Sequence, residues 1–183
     1  VICEDRTGDE TPFSMPEHCP ACGALVVREA EEAAYRCTGV NCPAQRLRNI
    51  IHFVSRGAMD IEGLGPSIIE QLIERELINT AADLYYLKAE DIAEMDKMGE
   101  KSAQNILNAL EKSKSNPLYR LINAMGIRHI GEKASKILSQ KYKTLDNLRN
   151  AQAEDLNSIN DIGAVMAESV VEYFEEPQNI EFL

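Results

Sequence analysis

The chain has 183 residues, 44% of them hydrophobic, and a net charge of −11. That length holds one or two domains with real cores. No apolar run reaches the roughly 18 residues that span a bilayer, and the negative total argues against bulk attraction to a polyanion. The opening Val1-Ile2-Cys3-Glu4-Asp5-Arg6 lacks an initiator Met and a signal pattern, so the chain reads as a piece of a longer one. Residues 1–17, with Asp5, Asp9, Glu10, Pro12, Ser14 and Pro16, suit a linker from a preceding domain. Next come Cys19-Pro20-Ala21-Cys22 and Cys37-Thr38-Gly39-Val40-Asn41-Cys42, a C-x2-C and a C-x4-C pair separated by 14 residues. Two close thiolate pairs at this distance match a four-cysteine structural zinc site with Cys19, Cys22, Cys37 and Cys42 as ligands. All-sulfur ligation leaves no open position, so one zinc with no catalytic role is expected. Between the pairs, Leu25-Val26-Val27, a turn at Ala30-Glu31-Glu32 and Ala34-Tyr35-Arg36-Cys37 read as a β-hairpin. His18 and His52 are single and read as surface or packing residues, and Cys3 as a free thiol. Thiols kept for metal rather than disulfides place the chain in the cytoplasm.

From Ala44 to Arg56 the apolar residues Leu47, Ile50, Ile51 and Val54 share one helical face, and this helix is expected to join two modules. Thereafter one pattern recurs. Gly63-Leu64-Gly65, Lys97-Met98-Gly99, His129-Ile130-Gly131 and Asp161-Ile162-Gly163 each follow an apolar stretch and precede a helical one. Their final glycines stand 34, 32 and 32 residues apart. Such a period means one supersecondary unit, here helix, hairpin, helix, used several times because a single helix pair cannot bury its face alone. The repeats centre on 57–76, 89–114, 117–142 and 153–176. Asn79-Thr80 offers a cap for a short helix through Leu87, Ser115-Asn116-Pro117 breaks the chain before a helix start, and Glu175-Glu176-Pro177 ends the last helix. The fold class is mainly α: a zinc finger over 18–45, then a helical domain over 46–183.

A glycine at the hairpin exit is expected to tolerate positive φ and to let another backbone approach. The helix beginning there directs unpaired N–H groups and its positive dipole end outward, a site for a phosphate oxygen. One such hairpin alone reads better as part of a glycine-capped helical array that binds nothing; four in register reverse that and point to a grip on a nucleic-acid backbone without base reading. Charge is unevenly spread. Residues 57–111 carry −8, residues 112–149 carry +7 from 9 basic and 2 acidic side chains, and residues 150–183 have 8 acidic side chains and no basic one. The third repeat is thus a positive island. Candidate DNA contacts are Gly63, Gly65, Gly99, Lys101, Arg128, Gly131 and Lys133. A lysine in a helix's first turn opposes the dipole, which hints at a compensating anion beside Lys101 and Lys133.

The runs His18 to Gly23, Cys37-Thr38-Gly39, Asn41 to Gln45, His52 to Gly65, Met98 to Asn105 and Arg128 to Glu132 together resemble bacterial NAD-dependent DNA ligases, over residues 16–176. The resemblance implies the region between an oligonucleotide-binding barrel and a C-terminal BRCT domain. That region helps the enzyme encircle nicked double-stranded DNA, with hairpins on the minor-groove side. It further implies a parent enzyme that seals nicks with NAD during replication and repair, and the other ligase domains as partners of this monomeric piece. There is no Lys-x-Asp-Gly run, which in that family carries the adenylated lysine, so this stretch alone is expected neither to bind NAD nor to ligate. Only the first hairpin has both glycines, and Asp161 is unwelcome beside a phosphate, so the fourth unit is expected to be mainly structural. The rival readings are a structural or protein-interaction module and a helix-hairpin-helix fragment of a repair nuclease. The nuclease reading finds no acidic metal-binding constellation.

Overall fold

The computed structural model describes residues 8, 11, 13–28, 33–39, 41–177 and 179. Cys3, the Ala30–Glu32 turn and the tail to Leu183 lie outside them. The chain divides into two compact units, Val1–Gln45 and Arg46–Leu183.

Among its described residues the first unit has almost no apolar core. Its strands β1 (Val26–Arg28) and β2 (Tyr35–Cys37) pair antiparallel, with Val26 opposite Cys37 and Arg28 opposite Tyr35. A bridge between His18 and Leu25 extends the ribbon to the first cysteine pair. Two three-residue strands are far below what stands alone in water, so something other than packing has to hold this ribbon.

In the second unit the order is α1 (Pro43–Val54), α2 (Pro66–Glu74), a 3-10 helix (Ala82–Tyr86), α3 (Ala89–Ala93), α4 (Glu100–Ser113), α5 (Leu118–Ala124), α6 (Glu132–Tyr142), α7 (Leu145–Arg149), α8 (Ala153–Asn157) and α9 (Ala164–Glu175). The division between units falls near the start of α1, whose Pro43 presets φ for the first turn. The repeat pairs share cores. Ile50, Phe53, Ile69, Leu72, Leu84, Ile92 and Ile106 form one cluster around the first two hairpins. Ile122, Ile130, Leu138, Leu148, Leu156, Ile162 and Val170 form the other around the last two. Each fully buried aliphatic side chain here stabilises by about 1.5–3 kcal/mol.

The first and third units are tied by polar side chains as well. Asn116 Nδ2 donates to Met59 O (2.7 Å), Arg120 Nη1 to Ala58 O (2.8 Å), and Asn123 Nδ2 to Gly57 O (3.0 Å). The His52 ring nitrogen Nε2 lies 2.7 Å from Asn123 O, so His52 is an exposed residue with a backbone contact. These bonds supply partners to the carbonyls that follow α1, where the chain has left the helix and the backbone would otherwise be unpaired.

Two local expectations change. The segment after Thr80 is a 3-10 helix whose N-cap, Ala81, makes no side-chain cap bond; Asp83 instead reaches back to the entering chain, Oδ2 accepting from Asn79 N and Thr80 N, both at 2.8 Å, and from Thr80 Oγ1 at 3.1 Å. Helix α7 was not foreseen; Thr144 Oγ1 caps it by accepting from Asn147 N at 3.2 Å.

Candidate metal centre and nucleic-acid interface

The β-hairpin carries Cys37, and the segments flanking it carry Cys19 and Cys22 before β1 and Cys42 after β2, so ribbon and flanks converge. The four Sγ atoms of Cys19, Cys22, Cys37 and Cys42 lie within 4.8 Å of one another, with Cys19–Cys42 at 3.9 Å and Cys22–Cys37 at 3.4 Å. Four sulfurs at about 2.3 Å from one zinc stand about 3.8 Å apart at tetrahedral angles, so the donor set has the size of that ion. The backbone wraps it closely. Gly39 N donates to Cys37 Sγ at 3.2 Å, and a Cβ on Gly39 would sit 2.7 Å from Cys22 Sγ. Sequence reasoning passed over Gly39; its signal is the glycine two residues after Cys37. Backbone N–H groups of Ala21 and Cys22 hold the Cys19 thiol down at about 7. Cys22 receives a lowering bond from Ala24 N–H, yet sharing a proton with Cys37, together with desolvation, pushes it up to about 12. Four crowded thiols do not all ionise unaided; a divalent cation among them is what makes a full thiolate set favourable.

The four hairpins share one geometry, and it differs from the expected one. In each, the middle residue donates to a carbonyl three residues back: Leu64 to Ile61, Met98 to Met95, Ile130 to Ile127 and Ile162 to Ile159, at 3.0–3.4 Å. Positive φ falls on the first hairpin position, at Gly63 (94°), Lys97 (63°), His129 (62°) and Asp161 (69°). The exit glycines are extended: Gly65, Gly99, Gly131 and Gly163 have φ of −86°, −152°, −96° and −87°. They are the N-caps of α2, α4, α6 and α9, and none of the four has a side-chain cap. The expectation that the exit glycine supplies positive φ is therefore corrected, because the turn has completed its reversal two residues earlier.

That correction sharpens the question of why the exit residue is glycine. Its backbone suits any residue, and a Cβ at Gly65, Gly99, Gly131 or Gly163 would meet nothing within 4 Å. Nothing among the described residues asks for glycine there. Gly63 is the opposite case: φ of 94° and a Cβ that would lie 2.8 Å from Ile106 Cγ1 give it an internal reason. Elsewhere the same chain does cap its helices from within, through Thr144 at α7 and through Asp91, which accepts from Lys88 N at 3.1 Å.

Of the candidate cations, Lys101 is exposed in the first turn of α4 and has no ion pair among the described residues. Lys133, at the equivalent place in α6, lies 3.0 Å from Asp161 Oδ2. The anion expected to compensate Lys133 is thus present within the chain. Arg128 is half-buried and lines a cleft with Glu172, Tyr173 and Glu176 of the α9 end, so its charge is set among carboxylates. Within the positive island, Arg120 is committed to backbone carbonyls and Lys136 to Glu132 at 2.6 Å and the Tyr119 ring. The fourth hairpin displays Asp161 and Val165, which is 59% exposed where Lys101 and Lys133 stand in their repeats. No helix among the described residues is long and apolar enough to cross a membrane.

Comparison with known proteins gives three matches along the chain. Residues 18–44 match the NAD-dependent DNA ligase C4 zinc finger domain, residues 56–112 the SAM-like helix-hairpin-helix tandem, and residues 120–183 the helix-hairpin-helix motif. The chain is similar over its whole length to a DNA ligase of Thermoanaerobacter pseudethanolicus, 54% identical over 183 residues that make up 28% of that protein. It is 52% identical to a DNA ligase of Clostridioides difficile over 180 residues, 98% of the chain and 27% of the relative. A DNA ligase of Oceanobacillus iheyensis is 50% identical over 182 residues, 27% of its length. The chain therefore spans a little over a quarter of the curated relatives it matches.

Proposed function

We propose that the chain, through its zinc finger and helix-hairpin-helix units, is part of an NAD-dependent DNA ligase, the part that holds duplex DNA. The whole protein seals nicks with NAD, in the cytoplasm, during replication and repair. This region contributes grip and alignment, and the nucleotide chemistry resides in the rest of the protein.

Cys19, Cys22, Cys37 and Cys42 hold one zinc, which supplies the folding energy that two short strands lack. Thiolate ligands filling all four positions leave it no substrate to polarise. The helical unit grips phosphates from the minor-groove side, through Gly65, Gly99 and Gly131 and the N–H groups of the helix starts behind them, with Lys101 and Lys133 adding charge. Gly63 shapes the first hairpin from within, and Arg128 contributes by fixing the third hairpin against α9. The fourth unit completes the second core.

The observation that carries this reading is the set of uncapped helix starts preceded by extended glycines with open space where a Cβ would be. An anion arriving at such a start receives several N–H bonds and a favourable dipole end, and glycine lets a bulky sugar-phosphate chain come close. Contacts of this type read no bases, as sealing a nick in any sequence demands. The test is a fluorescence-anisotropy titration of the chain against nicked, intact and single-stranded DNA across a range of salt. Duplex binding with a steep negative salt slope and no sequence preference is expected; no duplex binding at low salt would refute the reading and leave a protein-interaction module.

A further inference from the structure

The first and second halves of the helical unit carry opposite charge at one equivalent position. The second hairpin opens on Lys97 and the fourth on Asp161, both in the left-handed region with φ of 63° and 69°. Asp161 reaches across to the third hairpin's Lys133, Nζ to Oδ2 3.0 Å, with the two side chains 79% and 60% exposed. Glu132, the nearer carboxylate in sequence, is already engaged with Lys136 at 2.6 Å. Lys133 is thus left to Asp161, and its ammonium stands at the α6 start where an anion is favoured.

We infer that Asp161 is an intramolecular substitute for a DNA phosphate: it holds Lys133 when the third hairpin is empty and has to be displaced when DNA arrives. This rests on the DNA-binding reading above. The fourth unit then acts on DNA affinity through its neighbour while making no phosphate contact itself. Three features favour displacement over a fixed structural pair. The pair is open to solvent, where such bonds are weak. The residues it joins are the ones whose repeats elsewhere lack it: Lys101 has no ion pair among the described residues. And the bond links two hairpins at the face where phosphates are expected, so a phosphate oxygen and the carboxylate compete for one ammonium. Wild-type binding releases little counterion at this position, because the pair is already neutral.

The experiment is a double-mutant cycle read by anisotropy with nicked duplex over a salt series, using the chain as it stands. Asp161→Asn keeps a residue that tolerates the left-handed backbone, and Lys133→Ala changes only an exposed side chain, so both variants are expected to fold. Asp161→Asn is expected to bind about fivefold tighter at low salt, with a salt slope steeper by about 0.9. The double variant is expected to bind like Lys133→Ala alone. The inference is overturned if Asp161→Asn binds no tighter than wild type. It is overturned equally if the gain persists undiminished without Lys133, which would make Asp161 a direct repeller of DNA. Failure of wild type to bind duplex at all would remove the functional reading and this one together. Duplex binding that Gly131→Val weakens and Asp161→Asn does not strengthen would sink this one alone.

Discussion

Replacing Gly131 by valine separates a role in folding from a role in binding. Gly131 is extended, with φ −96° and ψ −171°, and a Cβ there would meet nothing within 4 Å. A β-branched residue fits that backbone. Losing glycine as N-cap costs about 0.5–1 kcal/mol, and the stiffer unfolded chain returns about 0.4–1 kcal/mol, so stability should change by less than about 1 kcal/mol. Binding is another matter. A hydrogen bond to a charged acceptor contributes about 1.5–3 kcal/mol, and an isopropyl group at the approach path costs at least one of them. The affinity for nicked duplex should therefore fall about 10- to 100-fold, with the salt slope nearly unchanged because the lost bond comes from an uncharged N–H. Urea denaturation gives the first quantity and salt-dependent anisotropy the second. Two companions calibrate the result. Gly63→Val, with φ of 94° and Ile106 Cγ1 at 2.8 Å, should destabilise by on the order of 2–5 kcal/mol. Gly163→Val, in the same local geometry as Gly131 but beside Asp161, should leave both stability and binding nearly unchanged. A folded Gly131→Val with wild-type affinity would refute the phosphate clamp.

Further expected outcomes are more local. Cys22→Ser should abolish stoichiometric zinc, measured by atomic emission, and unfold the β-ribbon while the helical unit still melts cooperatively, since zinc closure is worth on the order of 10–16 kcal/mol; a sample prepared without chelator holding far less than one zinc per chain would count against the site. Asp83 is raised by partial burial but brought net below its ordinary 3.8 by bonds from Asn79 and Thr80, so its stabilisation is fully present above that value and lost as pH falls through the lower folded one. Asp83→Ala should accordingly cost about 1 kcal/mol at neutral pH, and thermal melts should show the gap closing only in strong acid. Lys97→Gly removes a non-glycine residue from φ 63° and should raise stability by about 0.5–1 kcal/mol; a lower melting temperature would contradict the turn assignment.

What could be read from the sequence was what repetition and chemistry mark twice. The cysteine pairs have a spacing that bonds to one ion, and the structure brings their sulfurs together. The helices α2, α4, α6 and α9 follow the hairpin glycines because apolar residues at helical spacing begin there. Helix α7 escaped because its buried Leu148 and half-buried Leu145 are too few to make a period, and only the Thr144 cap announces it. The 3-10 helix differs for a similar reason: Asp83 bonds back to Asn79 and Thr80, which winds the turn more tightly than the residue types suggest. Side-chain pairing across hairpins was beyond the sequence altogether, since Lys133 and Asp161 are 28 residues apart and meet only once the second core has formed.

The same pairing changes what the positive island means. Counted along the chain, residues 112–149 carry +7, which invites a picture of nine cations facing DNA. In the folded unit Arg120 serves backbone carbonyls, Lys136 serves Glu132, Arg128 sits among carboxylates, and Lys133 is held by Asp161. A surface that spent all its lysines on attraction would bind any polyanion. One that ties up several of its cations within the fold and relies on helix starts binds only where phosphates are spaced to meet several hairpins together. The net charge of −11 then ceases to be an obstacle: it suppresses loose association, while the backbone N–H groups, which carry no formal charge, supply the grip. If that division of labour holds, the salt slope of the chain is smaller than its count of basic residues suggests. Its affinity then depends more on Gly65, Gly99 and Gly131 than on any single lysine.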